Sequence, residues 1–161
     1  MHQEWQVRHG EKEHSDRFGF PNTVDCDRAL KVGFVSPDLY SHSVSYFLDA
    51  LFQSYDRGDF YFVCFSDRPE SKDDIATQVL KSHVNEWHYV KLLTAKMLRE
   101  KVEEVGIDIL IDLAGHTGQN RMVAFSKRMA PVQATWLGYP DTTGLHQMDF
   151  RIVDNVTDPA G

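Results

Sequence analysis

Cysteine is nearly absent from this chain of 161 residues: Cys26 and Cys64 stand far apart and without the spacing of a metal site. Two such residues build neither a disulfide framework nor a zinc module, and their scarcity fits a reducing compartment. Long apolar runs are missing as well. The longest, Phe60 to Phe65, falls far below the ~20 residues that a membrane helix needs. The polar opening Met1-His2-Gln3-Glu4-Trp5 does not read as a secretory signal. No Lys/Arg-rich run occurs and the formal charge is −7, which argues against a nucleic-acid partner, since neutralising phosphates takes a clustered basic face. Neither a phosphate P-loop nor a Gly-x-Gly-x-x-Gly turn follows the first β-rich run, which has only Gly33 inside it, so a dinucleotide cofactor is not expected. The expectation left standing is a soluble, cytoplasmic protein, with the nucleus as a second compartment, acting on a small or proteinaceous partner away from membranes.

What remains is a chain long enough for one domain with a genuine core. Residues 1–28 are mostly polar and broken by Gly10, Gly19, Pro21 and Asn22, a pattern that predicts a connector. Residues 29–161 then change character. Short β-rich runs at Lys31–Val35, Phe60–Phe65, Glu86–Leu92, Ile107–Leu113, Val132–Leu137 and Phe150–Val153 alternate with helical stretches, the βαβ signature. In the first helix Val44, Phe47, Leu48, Leu51, Phe52 and Tyr55 recur on one apolar face. Asp73 and Thr94 are placed to cap the next two helices, Gly106 to end the second of these, and Pro131 to stop the fourth. Right-handed crossovers then predict an α/β fold, a Rossmann-like parallel sheet with helices on both faces.

Ligands of open parallel sheets bind outside the carboxyl ends of the strands, and three loops fall there. Ser36-Pro37-Asp38-Leu39-Tyr40-Ser41-His42-Ser43 ends at a helix start, where free N–H groups and the dipole favour anions. Ala114-Gly115-His116-Thr117-Gly118 and Gly138-Tyr139-Pro140-Asp141-Thr142-Thr143-Gly144 carry glycines that let backbone approach a ligand. Each candidate also has an architectural reading. His42 and His116 are equally readable as hydrogen-bonded loop residues, Gly138, Pro140 and Gly144 as turn punctuation, His88 as a packed strand histidine, and Asp112 as a partner for loop N–H groups. The Asp-x-Asp form of Asp25-Cys26-Asp27 precedes the first strand and reads as solvated linker rather than as a metal site.

Three segments together are similar to the first catalytic lobe of the O-GlcNAc transferase family, including its bacterial members and the plant Spindly-type proteins. They are Leu30–Asp38 with His42–Phe47, Ile107–Thr117 and Ala130–Gly144, and the third is long and unusual. The resemblance runs in order over nearly the whole chain after Arg28. It implies the N-terminal lobe of a two-lobed, GT-B type glycosyltransferase that moves GlcNAc from UDP-GlcNAc to Ser or Thr hydroxyls, with no metal and no resident cofactor. In that family the positions of His42, Leu137, Gly138 and Pro140 face the sugar and diphosphate, and that of His88 lies near the acceptor. His42 and His88 are therefore the expected catalytic residues. His116, Thr117, Leu137, Gly138, Pro140 and Thr143 are the expected substrate-binding ones. The resemblance further implies upstream helical repeats that recruit protein acceptors and a second lobe supplying most nucleotide contacts; with both lacking here, the isolated chain is expected to be inactive. A Spindly-type O-fucosyltransferase using GDP-fucose, a non-catalytic binding module or truncated fragment, and a flavodoxin-like signalling domain are the alternatives.

Overall fold

The computed structural model describes residues 19–23, 25 and 27–156. Six strands, β1 (Leu30–Ser36), β2 (Phe60–Ser66), β3 (Glu86–Tyr89), β4 (Ile109–Asp112), β5 (Val132–Trp136) and β6 (Phe150–Ile152), form one sheet in the order β3-β2-β1-β4-β5-β6. Every pairing is parallel. This is the doubly wound order, and it differs from the 2-1-3-4-5 order of flavodoxin-like domains. Four α-helices join the strands: α1 (Ser43–Ser54), α2 (Ile75–His83), α3 (Ala95–Val105) and the short α4 (Met122–Phe125).

Strands β1, β2 and β4 alternate between two cores, as their two-residue period requires. Val32, Phe34, Phe62, Cys64 and Ile111 face α1 and α2 and pack on Val44, Leu48, Phe52 and Leu80. Val35, Val63, Phe65 and Leu110 face the other side, with Leu98, Val102, Met122 and Phe125. Gly33 belongs to this second face, where a Cβ would stand 2.8 Å from Leu110 Cδ1 and 3.0 Å from Phe65 Cε2. It is a packing glycine. Burial pushes the Cys64 thiol up, so this cysteine is an inert core residue.

The helix signals fall mostly where the sequence puts them. Thr94 caps α3 by accepting from the Met97 N–H, and Gly106 ends that helix at φ 73°. The α2 cap is Asp74 rather than Asp73: a 3₁₀ turn at Glu70–Lys72 delays the helix by one residue, and Asp74 and Thr77 close a reciprocal capping box. Asp73 instead takes the Tyr89 hydroxyl and Lys81. Helix α4 ends at Phe125, well before Pro131, because Arg128 turns the chain at φ 45° and Gln133 reaches back to the Met129 N–H and the Phe125 carbonyl. Phe47 is 57% exposed and leaves the apolar face of α1 to its neighbours.

Most of the expected connector, residues 1–18, lies outside the described residues, as does Cys26. Its described end is anchored. Buried Asp108 accepts from both terminal nitrogens of Arg28 at 2.7 Å, from Asn22 Nδ2 at 2.7 Å and from the Lys31 N–H at 2.9 Å, tying the entering chain to the amino edge of the sheet. Asp25 and Asp27 are exposed at that same edge, with the Asp27 N–H bound to the Asp25 carboxylate.

Candidate functional site at the carboxyl edge

The strand order reverses between β1 and β4, so the topological switch point lies between the loops that follow them. The first loop is held from below and from the side. Ser36 Oγ accepts from the Asp38 N–H, the Ser45 hydroxyl donates to the Asp38 carbonyl, and Asp74 takes the Ser41 N–H while capping α2. These contacts deliver His42 to the N-cap of α1, where its Nδ1 accepts from the Val44 N–H at 3.3 Å. That bond fixes the tautomer. With Nδ1 accepting, the proton of the neutral ring sits on Nε2, which makes His42 a hydrogen-bond donor at its outer nitrogen.

Asp112 closes β4 and is 1% exposed. It accepts from the Ala114 N–H at 3.2 Å, the Gly115 N–H at 2.7 Å and the Thr135 hydroxyl at 3.0 Å. Burial raises its carboxyl to about 6 against the lowering effect of these donors and of His116. The architectural reading of Asp112 is the one its contacts support. Thr117 has the same character, its hydroxyl donating to the Ala114 carbonyl at 2.8 Å.

The β5 loop rests directly on this one. Leu137 is left-handed at φ 68°, and a Cβ on Gly138 would fall 1.6 Å from the Leu113 carbonyl oxygen, so only glycine lets the two backbones touch. His116 Nε2 donates to the Thr143 carbonyl at 2.7 Å, and its ring lies edge-on to Tyr139. Thr143 is 2% exposed and holds the loop from inside. A cavity of about 580 Å³ opens beside this loop, walled by Leu137, Pro140, Phe47, Trp136, Tyr139 and Arg151 among others. A smaller one of about 140 Å³ lies between α1 and α2, with His42, Tyr46 and Asp49 on its rim.

The structure thus brings His42, His116, Thr117, Leu137, Gly138, Pro140 and Thr143 to one edge. Of these, Leu137 and Pro140 line the large cavity, while Thr117 and Thr143 brace the loops. His88 is elsewhere: it sits within β3, separated from β1 by β2, stacked on Phe65 and 3.0 Å from Glu86 Oε2. Sequence reading missed Phe47, Trp136, Tyr139 and Arg151 as cavity walls. Phe47 falls within the helix period, and the others have the pattern of strand or turn residues. Among the described residues, no three His, Cys, Asp or Glu side chains gather into a metal-binding group, and no helix is long and apolar enough to cross a membrane.

Comparison with known proteins matches residues 4–161 to the pattern of glycosyl transferase family 41. An O-GlcNAc transferase mutant from Thermobaculum terrenum superposes with a TM-score of 0.86 and 37% identity, over 93% of this chain and 28% of that one. The Arabidopsis thaliana protein named probable UDP-N-acetylglucosamine-peptide N-acetylglucosaminyltransferase SPINDLY is 36% identical over 98% of this chain and 17% of its own length. A Caenorhabditis elegans protein named UDP-N-acetylglucosamine-peptide N-acetylglucosaminyltransferase is 32% identical over 91% of this chain and 12% of its own. The chain therefore spans less than a third of each of these relatives.

Proposed function

Because this chain belongs to glycosyl transferase family 41, we propose that it forms one lobe of the active site of a protein O-GlcNAc transferase, facing the sugar and diphosphate of UDP-GlcNAc. The observation that carries the reading is the 580 Å³ cavity beside the loop that follows β5, with Leu137 and Pro140 in its wall. These are two of the positions that the family resemblance puts against the donor.

In the transfer, the oxygen of an acceptor Ser or Thr hydroxyl bonds to the anomeric carbon of the sugar. The bond from that carbon to the diphosphate oxygen breaks, the diphosphate leaves with the electron pair, and the hydroxyl proton passes to solvent water. Negative charge develops on the leaving oxygen, and a preorganised donor lowers the barrier most when aimed there. His42 suits that task better than proton abstraction. Its Nδ1 is committed to the Val44 N–H, so Nε2 presents a proton rather than a lone pair. The helix N-terminus that His42 caps adds its own partial positive charge. His88, paired with Glu86 on β3, is proposed to serve the acceptor side. The chemistry requires neither a metal nor a resident cofactor in this reading.

The test is a chimaera in which this chain replaces the matching lobe of the Thermobaculum protein, assayed for radiolabelled GlcNAc transfer from UDP-GlcNAc to a Ser/Thr peptide. Transfer by the chimaera, with none by the 161-residue chain alone, is the expected result. A chimaera that melts like its parent yet transfers nothing contradicts the proposal.

A further inference from the structure

We propose that His116 is a positioning residue: it clamps the loop after β5 so that Leu137 and Pro140 hold the wall of the large cavity, without itself touching the donor. The inference rests on the reading above for the identity of the ligand, and on geometry for the clamp. The loop at Leu137–Gly144 is not a conformation the chain adopts freely. Leu137 stands at φ 68° and Gly144 at φ 67°, and a non-glycine residue in that region costs on the order of 1–3 kcal/mol unless its surroundings hold it.

Arg151 donates to the Pro140 carbonyl at 3.2 Å in the middle of the loop, and two further features hold its ends. Gly138 abuts the Leu113 carbonyl, which fixes the start of the loop. The far end is fixed by His116, whose Nε2 donates to the Thr143 carbonyl at 2.7 Å while its ring meets Tyr139 edge-on at 5.7 Å. Gly115, at φ 53°, permits that ring contact, because a Cβ there would lie 2.2 Å from Tyr139 Cβ. The support continues inward. Asp112 sets the Ala114 and Gly115 N–H groups that orient His116, and it also binds Thr135 in β5. One carboxylate and one imidazole therefore join the switch-point loop to the cavity wall.

Three substitutions separate the clamp from mere filling. His116→Phe keeps a ring against Tyr139 and loses the donor, His116→Gln keeps a donor and loses the ring, and His116→Ala loses both. Hydrogen exchange of the chain itself should show residues 137–145 exchanging about fivefold faster in His116→Phe, the size of one neutral hydrogen bond, with β1 unchanged. In the chimaera, His116→Phe should raise the KM for UDP-GlcNAc by a similar factor with kcat nearly constant. His116→Gln should restore most of both, and His116→Ala should be the weakest. If His116→Phe matches the unaltered protein in exchange and KM, or if His116→Gln is no better than His116→Phe, the clamp is refuted. A fall in kcat at constant KM likewise refutes it and makes His116 a reacting-centre residue. An inactive but folded unaltered chimaera overturns the donor reading instead, and the exchange measurement still decides the clamp.

Discussion

Replacing Asp112 by asparagine should reverse part of this protein's pH dependence. The carboxyl is 1% exposed at the end of β4, and burial raises it to about 6 despite three hydrogen-bond donors. In the unfolded chain it titrates near ~3.9. A folded value above the unfolded one means that the folded state holds the proton more tightly. The stability this contributes is fully present below about pH 4 and is lost as pH rises through 6. Two pH units correspond to about 3 kcal/mol in total, of which on the order of 1 kcal/mol is lost between pH 5 and pH 7.5. Other carboxyls run the opposite way. Burial acts to raise Glu86 and Asp108, but hydrogen bonds from Tyr61 and His88 to the first and from Arg28 to the second hold them low, so their contributions are lost on acidification. Urea denaturation of both proteins from pH 4.5 to 7.5 cancels those terms in the difference. The unaltered chain minus Asp112→Asn should fall by on the order of 1 kcal/mol from pH 5 to pH 7.5. A flat or rising difference would refute the assignment of a buried carboxyl that prefers its proton.

Asp149→Ala should destabilise the chain by about 3–5 kcal/mol in urea titrations, because it strands Arg128, whose side chain is 5% exposed and paired at 2.8 Å with Asp149 Oδ1; a loss under about 1 kcal/mol contradicts this. Gly138→Ala must separate two backbones that meet at 1.6 Å from the added Cβ, so it should cost at least about 3 kcal/mol, or roughly 6–12 °C of melting temperature. An unchanged melt refutes the close approach of these two backbones.

The alternation of strands and helices was legible because β1, β2, β4 and β5 carry buried apolar residues and each long helix has its own cap, so the α/β pattern follows from local signals. Where the reading slipped, a non-local contact decided. Asp73 loses the α2 cap to Asp74 because Tyr89 of β3, together with Lys81 of the helix itself, claims its carboxylate. The end of α4 is set by Gln133 reaching across a turn, which no helix signal encodes. The carboxyl-edge loops were identifiable from their position after strands, and His42 stood out by its place at a helix start. The division of labour among loop residues was not legible. Whether Thr117 and Thr143 face a ligand or brace a loop depends on the Ala114 carbonyl and the His116 ring, and Phe47 follows the period of α1 yet stands outside its packed face.

The central claim is that the carboxyl edge of this lobe serves sugar transfer through a donor at His42. His42 also caps α1, so alanine would remove about 1 kcal/mol of helix stability together with the imidazole. Asparagine keeps a good cap and removes only the ring. The decisive measurement is kcat for GlcNAc transfer by the His42→Asn chimaera, taken beside its melting temperature. The expected result is a loss on the order of 10²-fold in kcat at a nearly unchanged melt. Near-parental turnover by His42→Asn would contradict it and leave His42 as a helix cap alone.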